Sequence, residues 1–383
     1  MSQPKPIYLD YNATTPLTEE VISEMLPYLQ MHFGNPSSSH PYGRTAKVAL
    51  ETARQRVADL IGANPDEILF TGGGTESNNL ALRGALLAAK NQGKHLITSA
   101  VEHPAVTNVF DFLASQGYRV TTLPVSSTGM VSPDALAKAL EPETILVSIM
   151  HANNEVGTIQ PIQELAKMTH KVGAIFHSDA AQSVGKIPVN VTDLDVDLLS
   201  IAGHKLYAPK GVGALYIRQG IKIEKTMYGA SQEQGLRPGT ENIASIVGLG
   251  KAAQQAQDES ASRSTHLQAM RDRLHHGLKE ILPEGSIRLN GHPDKRLPNT
   301  LNLSFQGIQS DKLFVMIGDT VAASAGAACH ADSVEISSVL QAMAVPLEWA
   351  QGAVRFSVGR MTTTDEIDQA VKTVSNVVKL GLN

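Results

Sequence analysis

Three short segments of this 383-residue chain carry residue types that do chemistry at useful spacings. In EILFTGGGTESNNLAL a β-rich run enters Gly72, Gly73 and Gly74 and then a helical pattern near Thr75. Glycines admit a ligand close to the backbone. A helix start offers free N–H groups and the positive end of its dipole, and Thr75 adds a hydroxyl. The set suits a phosphate at Gly74 and Thr75, although the pattern is neither GxxxxGK[ST] nor GxGxxG. In AIFHSDAAQS, Asp179 stands at or just past the carboxyl end of a strand, with Gln182 three residues on. Ligands of open α/β sheets bind beyond that edge, and a carboxylate there keeps a cationic ring nitrogen protonated. In VDLLSIAGHKLYAPKGVGALYI an apolar strand delivers His204 and Lys205. Desolvation disfavours the ammonium and makes a Schiff-base nucleophile of the amine. Singly, each has a plainer reading: Thr75 and Asp179 as helix caps, Lys205 as a surface residue.

Together, a phosphate cradle, a strand-end carboxylate and a desolvated lysine are the contacts that pyridoxal phosphate requires. His103, in SAVEHPAV just after a candidate strand, offers a ring to stack on such a cofactor or to move a proton. It reads equally as a cap. Cys329 is the chain's one cysteine and lies among small residues in SAGAACHADS. It is either an accessible reactive thiol or a small buried apolar side chain. Arg355, on the candidate strand of AVRFSVGR, is a clamp for a substrate carboxylate or half of a surface ion pair.

The elements that must position these residues alternate in texture. Candidate strands at 67–71, 95–99, 119–123, 144–150, 174–178, 197–201 and 213–217 interleave with candidate helices at 45–61, 75–90, 133–140 and 162–172. That alternation predicts an α/β domain on a mostly parallel seven-stranded sheet. Apolar runs such as TILVSIM predict a sheet covered on both faces. Residues 246–282 read as one long helical region. After it, strands near 287–289, 300–305 and 353–358 with helical segments predict a smaller α+β domain. The expected division is a large domain of residues 15–260 and a small one of 1–14 with 261–383. Hydrophobic residues are 42% and charged residues 18% of the chain, so it is a folded protein with a large core. A net charge of −5 lacks the basic footprint of a nucleic-acid or membrane binder. One cysteine excludes an internal disulfide and a Cys-rich zinc site, and no metal is expected. With no targeting segment or apolar stretch of about 18 residues, a cytoplasmic protein is expected.

At these residues the chain resembles the cysteine desulfurases, within the fold-type-I pyridoxal phosphate enzymes. The strings IYLDYNATTP, FGNPSSSH, TGGGTESNN, VEHP, ANNEVG, HSDAAQS, GHKLYAPKG, RPGTEN, AACH and VRFSVGR occur in order and span nearly the whole chain. The resemblance implies roles. Lys205 would carry the covalent link to the cofactor, Asp179 would pair with the pyridine nitrogen, and Gln182 would contact the phenolic oxygen. His103 would stack on the ring and serve as acid/base, while Thr75 and His204 would bind the phosphate. Thr240 would reach that phosphate from the neighbouring subunit of a homodimer. Asn154 would lie near cofactor and substrate, Arg355 would hold the substrate carboxylate, and Cys329 would be the nucleophile. One position departs from the pattern: many members have Ser two residues before the phosphate-binding histidine, and this chain has Ala202.

The implied activity is removal of sulfur from L-cysteine, giving L-alanine and a persulfide on Cys329. A protein acceptor would then draw on that sulfur for iron–sulfur clusters or thio-cofactors. Selenocysteine lyase shares the scaffold and is the alternative, with L-selenocysteine as substrate. A non-catalytic sulfur-trafficking scaffold is a further alternative, but it would need none of Lys205, Asp179, His103 and Cys329.

Overall fold

The computed structural model describes residues 5–89, 93–325 and 336–382. Its central sheet has seven strands in the order Ile68–Thr71, Gly213–Ile217, Leu198–Ala202, Ile175–Asp179, Thr144–Ser148, His95–Ser99 and Arg119–Leu123. Gly213–Ile217 runs antiparallel to both neighbours, and the other pairs are parallel. Successive strand side chains point to opposite faces, and here both faces are apolar. Phe70, Ile97, Val147, Phe176, Leu199 and Ala214 pack with the helices Pro41–Ile61, Ile162–His170 and Ile243–Asp258. Their neighbours Leu69, Leu96, Leu146, Leu198 and Leu215 pack on the other face with Gly74–Ala88 and Pro104–Ser115. The expected α/β architecture with its mostly parallel seven-stranded sheet is observed.

A polar row inside this sheet sets the height of one strand against the next. His177 Nδ1 and Nε2 meet Ser148 Oγ at 2.8 Å and Ser200 Oγ at 3.0 Å, spanning three strands. A one-residue slip would break both contacts and bury unpaired polar groups. Asp179 lies two residues beyond His177, so the row fixes where that carboxylate emerges.

A second core joins Ile7 and Leu9 to the antiparallel strands Ile287–Asn290, Thr300–Phe305 and Ala353–Ser357, covered by Ser260–Ile281, Ser310–Ile317 and Thr364–Leu382. The predicted single helical region at 246–282 is two helices, Ile243–Asp258 and Ser260–Ile281. Glu259 stands at the break, its carboxylate 2.8 Å from Arg263 and 3.1 Å from Arg360. Among the described residues no helix is long and apolar enough to cross a membrane.

Candidate active site

The parallel strands end together at Thr71, Ser99, Ser148, Asp179 and Ala202, so the segments that follow them converge on one edge of the sheet. There they enclose a cavity of about 330 Å³. Gly74, Thr75, His103, Asn154, Asp179, Gln182, His204, Lys205 and Arg355, scattered between positions 74 and 355 of the sequence, all line it. Thr240 does not line it and is exposed. Cys329 lies outside the described residues.

The strand Ile68–Thr71 turns through Gly73, at φ +142, into the helix Gly74–Ala88. A Cβ on Gly73 would meet nothing within 4 Å, whereas one on Gly74 would come within 3.2 Å of Ala202 Cβ. The turn is therefore open above Gly73, while Gly74 packs closely on the strand that delivers Lys205. The first N–H groups of a helix have no intrahelical acceptor, and Thr75 stands exposed among them. Glu76 ties the turn down, accepting from Gly72 N at 2.8 Å and from Arg237 Nε at 2.8 Å. Arg237 belongs to the segment that carries Thr240.

Asp179 is 5% exposed and held at both oxygens. Oδ1 accepts from Ala181 N at 2.9 Å, and Oδ2 accepts from Asn78 Nδ2 at 2.7 Å. Asn78 itself is buried with Oδ1 lacking a partner. It lies four residues after Gly74, on the same helix face, and that spacing was the available signal for it. Lys205 follows the strand Leu198–Ala202 in a short 3₁₀ turn. Burial depresses its pKa to about 8; Asp179 opposes that shift, Arg355 adds to it, and Asp10 opposes it. His204 is pushed to about 4, first by burial and then by Lys205, Lys210 and Lys186.

His103 caps the helix Pro104–Ser115, its Nδ1 accepting from Ala105 N at 3.1 Å. The neutral ring therefore carries its proton on Nε2. Burial and then the nearby Lys205 lower its pKa, so the neutral form prevails. Arg355 donates from Nη2 to Asp10 Oδ1 at 2.8 Å and from Nη1 to the Asn154 carbonyl at 3.1 Å. Its buried Nε has no partner. Asp10 and Asn12 follow the N-terminal strand Ile7–Tyr8; Asp10 reaches the site through Arg355, and Asn12 lines the cavity, donating to the Asn154 carbonyl at 3.1 Å.

This donor set matches an anionic, aromatic aldehyde cofactor. It combines a helix start and hydroxyl, a carboxylate with both oxygens anchored and a desolvated amine around one cavity. The unsatisfied Asn78 Oδ1 and Arg355 Nε add polar atoms ready to receive a ligand.

The aminotransferase class-V family matches residues 7–370. Cysteine desulfurase IscS of Dictyoglomus turgidum is 48% identical over 374 residues, covering 97% of this chain and 94% of that protein. Cysteine desulfurase NifS of Azotobacter vinelandii is 44% identical over 374 residues, covering 97% and 92%. Among solved structures, a NifS-like protein superposes with a TM-score of 0.92 at 36% identity, covering 98% of this chain and all of that one. SspA in complex with cysteine superposes with a TM-score of 0.82 at 36% identity, covering 94% of this chain and all of that one.

Proposed function

We propose that this chain, which belongs to the aminotransferase class-V family, takes sulfur from L-cysteine, leaving L-alanine and a persulfide on Cys329. The observation that carries the reading is the cavity itself, where Lys205, Asp179, His103 and Arg355 converge with a glycine-rich helix start. Relatives named cysteine desulfurase, 44–48% identical over nearly the whole chain, support it. The selenocysteine lyase alternative is not favoured by those names.

The cofactor is pyridoxal phosphate. When bound, it supplies an electron-withdrawing ring that stabilises negative charge at the substrate's Cα. Gly74, Thr75 and His204 would hold its phosphate, and Thr240 of a second subunit would add a donor. The Asp179 carboxylate would keep the ring nitrogen protonated, and Gln182 would meet the phenolic oxygen. His103 would lie against the ring, with Nε2 carrying the proton it can give. Lys205 would carry the covalent link to the cofactor, and its Nζ, held low in pKa in the cavity wall, would accept the substrate's Cα proton. Asp10 and the Asn154 carbonyl orient Arg355 so that its Nε meets the substrate carboxylate, with Asn154 alongside. Ser324, five residues before Cys329, pairs with Arg355 through Ser324 N to Arg355 O at 3.1 Å and Arg355 N to Ser324 O at 2.7 Å. The substrate's C–S bond breaks, an S–S bond forms on Cys329, and hydrogen replaces sulfur on the β-carbon of the departing alanine.

A homodimer is part of this reading. Leu29, Phe33, Tyr42 and Val48 expose 59–76% of their surface on and beside the helices Glu19–Gln30 and Pro41–Ile61. Such a face suits a second copy. We assign the two cores to domains of residues 15–260 and of 1–14 with 261–383. We also assign the enzyme to the cytoplasm, where a thiol stays reduced, with a protein acceptor taking the sulfur onward.

The test is incubation of the cofactor-loaded protein with L-cysteine. Alanine should form, and the peptide bearing Cys329 should gain one sulfur. Cys329→Ser should retain the visible absorbance and lose the persulfide. No alanine from L-cysteine would overturn the reading.

A further inference from the structure

Beneath the cavity lies a lysine that this chemistry does not use. Lys186 is only 7% exposed. The chain after Asp179 doubles back through Ser183 N to Ala180 O and Lys186 N to Ser183 O. Gly185, at φ +79, makes the tight approach to the core possible, since a Cβ there would stand 3.2 Å from Leu206 Cβ. The turn returns Lys186 Nζ to within 2.6 Å of Gln182 Oε1 and 2.9 Å of Asn12 Oδ1. Both acceptors are neutral amide oxygens. Burial, with the charges of Lys205 and Arg355, holds the Lys186 pKa well below the ordinary lysine value. Burying an amine without a carboxylate partner costs stability that an apolar side chain would not, so this lysine is present for its donors.

Those donors settle which way one amide faces. Gln182 Nε2 donates to the Asn12 carbonyl at 3.0 Å while Oε1 accepts from Lys186. Turning the amide over would set NH₂ against Nζ and carbonyl against carbonyl. The second Nε2–H is left over, and Gln182 lines the cavity. The same lysine also braces Asn12, whose Oδ1 accepts from Asn299 Nδ2 at 2.9 Å and whose Nδ2 donates to Thr300 Oγ1 at 2.8 Å. Large and small cores thus meet on this one amine.

We propose that Lys186 is a positioning residue. By donating to Gln182 Oε1 and Asn12 Oδ1 it fixes the Gln182 amide so that an N–H stays available to the cofactor's phenolic oxygen. The proposal rests on the reading above that Gln182 meets that oxygen.

The experiment is a pH titration of the visible absorbance of the pyridoxal-phosphate-loaded protein, in wild type, Lys186→Met, Gln182→Met and the double variant. An oxygen that loses a donor becomes more basic. Each single variant should therefore raise the midpoint by about one pH unit, the size expected for one hydrogen bond to a charged oxygen. The double variant should move no further than Gln182→Met alone. A purely structural lysine would lower the melting temperature and leave the midpoint in place. An unchanged midpoint in Lys186→Met, or shifts that add in the double variant, overturns the proposal. If Lys186→Met does not fold, Lys186→Gln decides, because its amide keeps a polar group in the same buried turn but is one atom too short to hold the 2.6 Å contact with Gln182 Oε1. It should raise the midpoint as Lys186→Met would, and an unchanged midpoint overturns the proposal. Wild-type protein that takes up no pyridoxal phosphate would defeat the broader reading instead, a result visible before any variant is made.

Discussion

The amine of Lys205 offers a sharp test because its environment sets a number. Its pKa is held at about 8, against 10.5 for an ordinary lysine. At pH 7 about a tenth of an amine with the lower value is neutral, against roughly one part in 3,000 with the ordinary one. The difference, about 300-fold, follows from 1.36 kcal/mol per pKa unit. Only the neutral amine attacks electrophiles, so reactivity reports the fraction directly. Cofactor-free protein treated with a trace of fluorodinitrobenzene over a range of pH, then digested and weighed by mass spectrometry, gives the labelling rate of Lys205 against that of surface lysines. The rate at Lys205 should rise through a midpoint near pH 8, two units or more below the others. The causes carry opposite signs and can be separated. Asp179 raises the Lys205 pKa and Arg355 lowers it, so Asp179→Asn should move the midpoint down and Arg355→Leu should move it up. A midpoint at 10 or above in wild type, or shifts of the opposite sign, would refute the claim that Lys205 is a desolvated nucleophile between those two charges.

Other perturbations reach the site through its supports. Asn78→Leu removes the donor to Asp179 Oδ2. It should weaken pyridoxal phosphate binding by about tenfold or more, the usual range for a hydrogen bond to a charged group, read by equilibrium titration of the cofactor-free protein. Glu233 accepts from Arg54 at 2.9 and 2.7 Å and from Phe70 N at 2.7 Å. Glu233→Gln leaves the buried guanidinium with only the more exposed Glu51, 3.0 Å from its Nε, and should cost about 3 kcal/mol in urea unfolding; a loss under about 1 kcal/mol would contradict the pairing. His151 and His177 are both driven to about 4 by burial, slightly opposed at His177 by Asp179. The unfolded chain takes up these protons first as pH falls below about 6.5. Stability is thus complete above that pH and is lost toward pH 4, at up to about 1.4 kcal/mol per pH unit for each histidine. Urea midpoints that stay level from pH 7 to pH 5 would show that these rings are not buried neutral.

What could be read in advance followed from where information is local. Strand–helix alternation is written into consecutive residues, and a ligand at the carboxyl edge follows from topology, so the glycine turn, Asp179 and Lys205 were legible before any coordinate. The helix Pro104–Ser115 was not among the expected elements, although His103 with Pro104 at the first helical position is a start signal. His103 reads there both as a cap and as a chemical group, and the structure shows it as the cap of that helix with its ring in the cavity wall. The capping bond fixes its tautomer, so local structure decides which proton it can give. The break at Glu259 was not legible from its neighbours alone: of the two arginines that share its carboxylate, Arg263 is local but Arg360 lies about a hundred residues on. Lys186 was hidden for the same reason. Nothing adjacent in sequence shows that a lysine four residues after Gln182 will turn inward, because its other partner, Asn12, lies 174 positions away. Residues that touch a ligand stand where the topology says ligands bind. Those that orient them are defined by contacts across the chain, and only folding brings the two sets together.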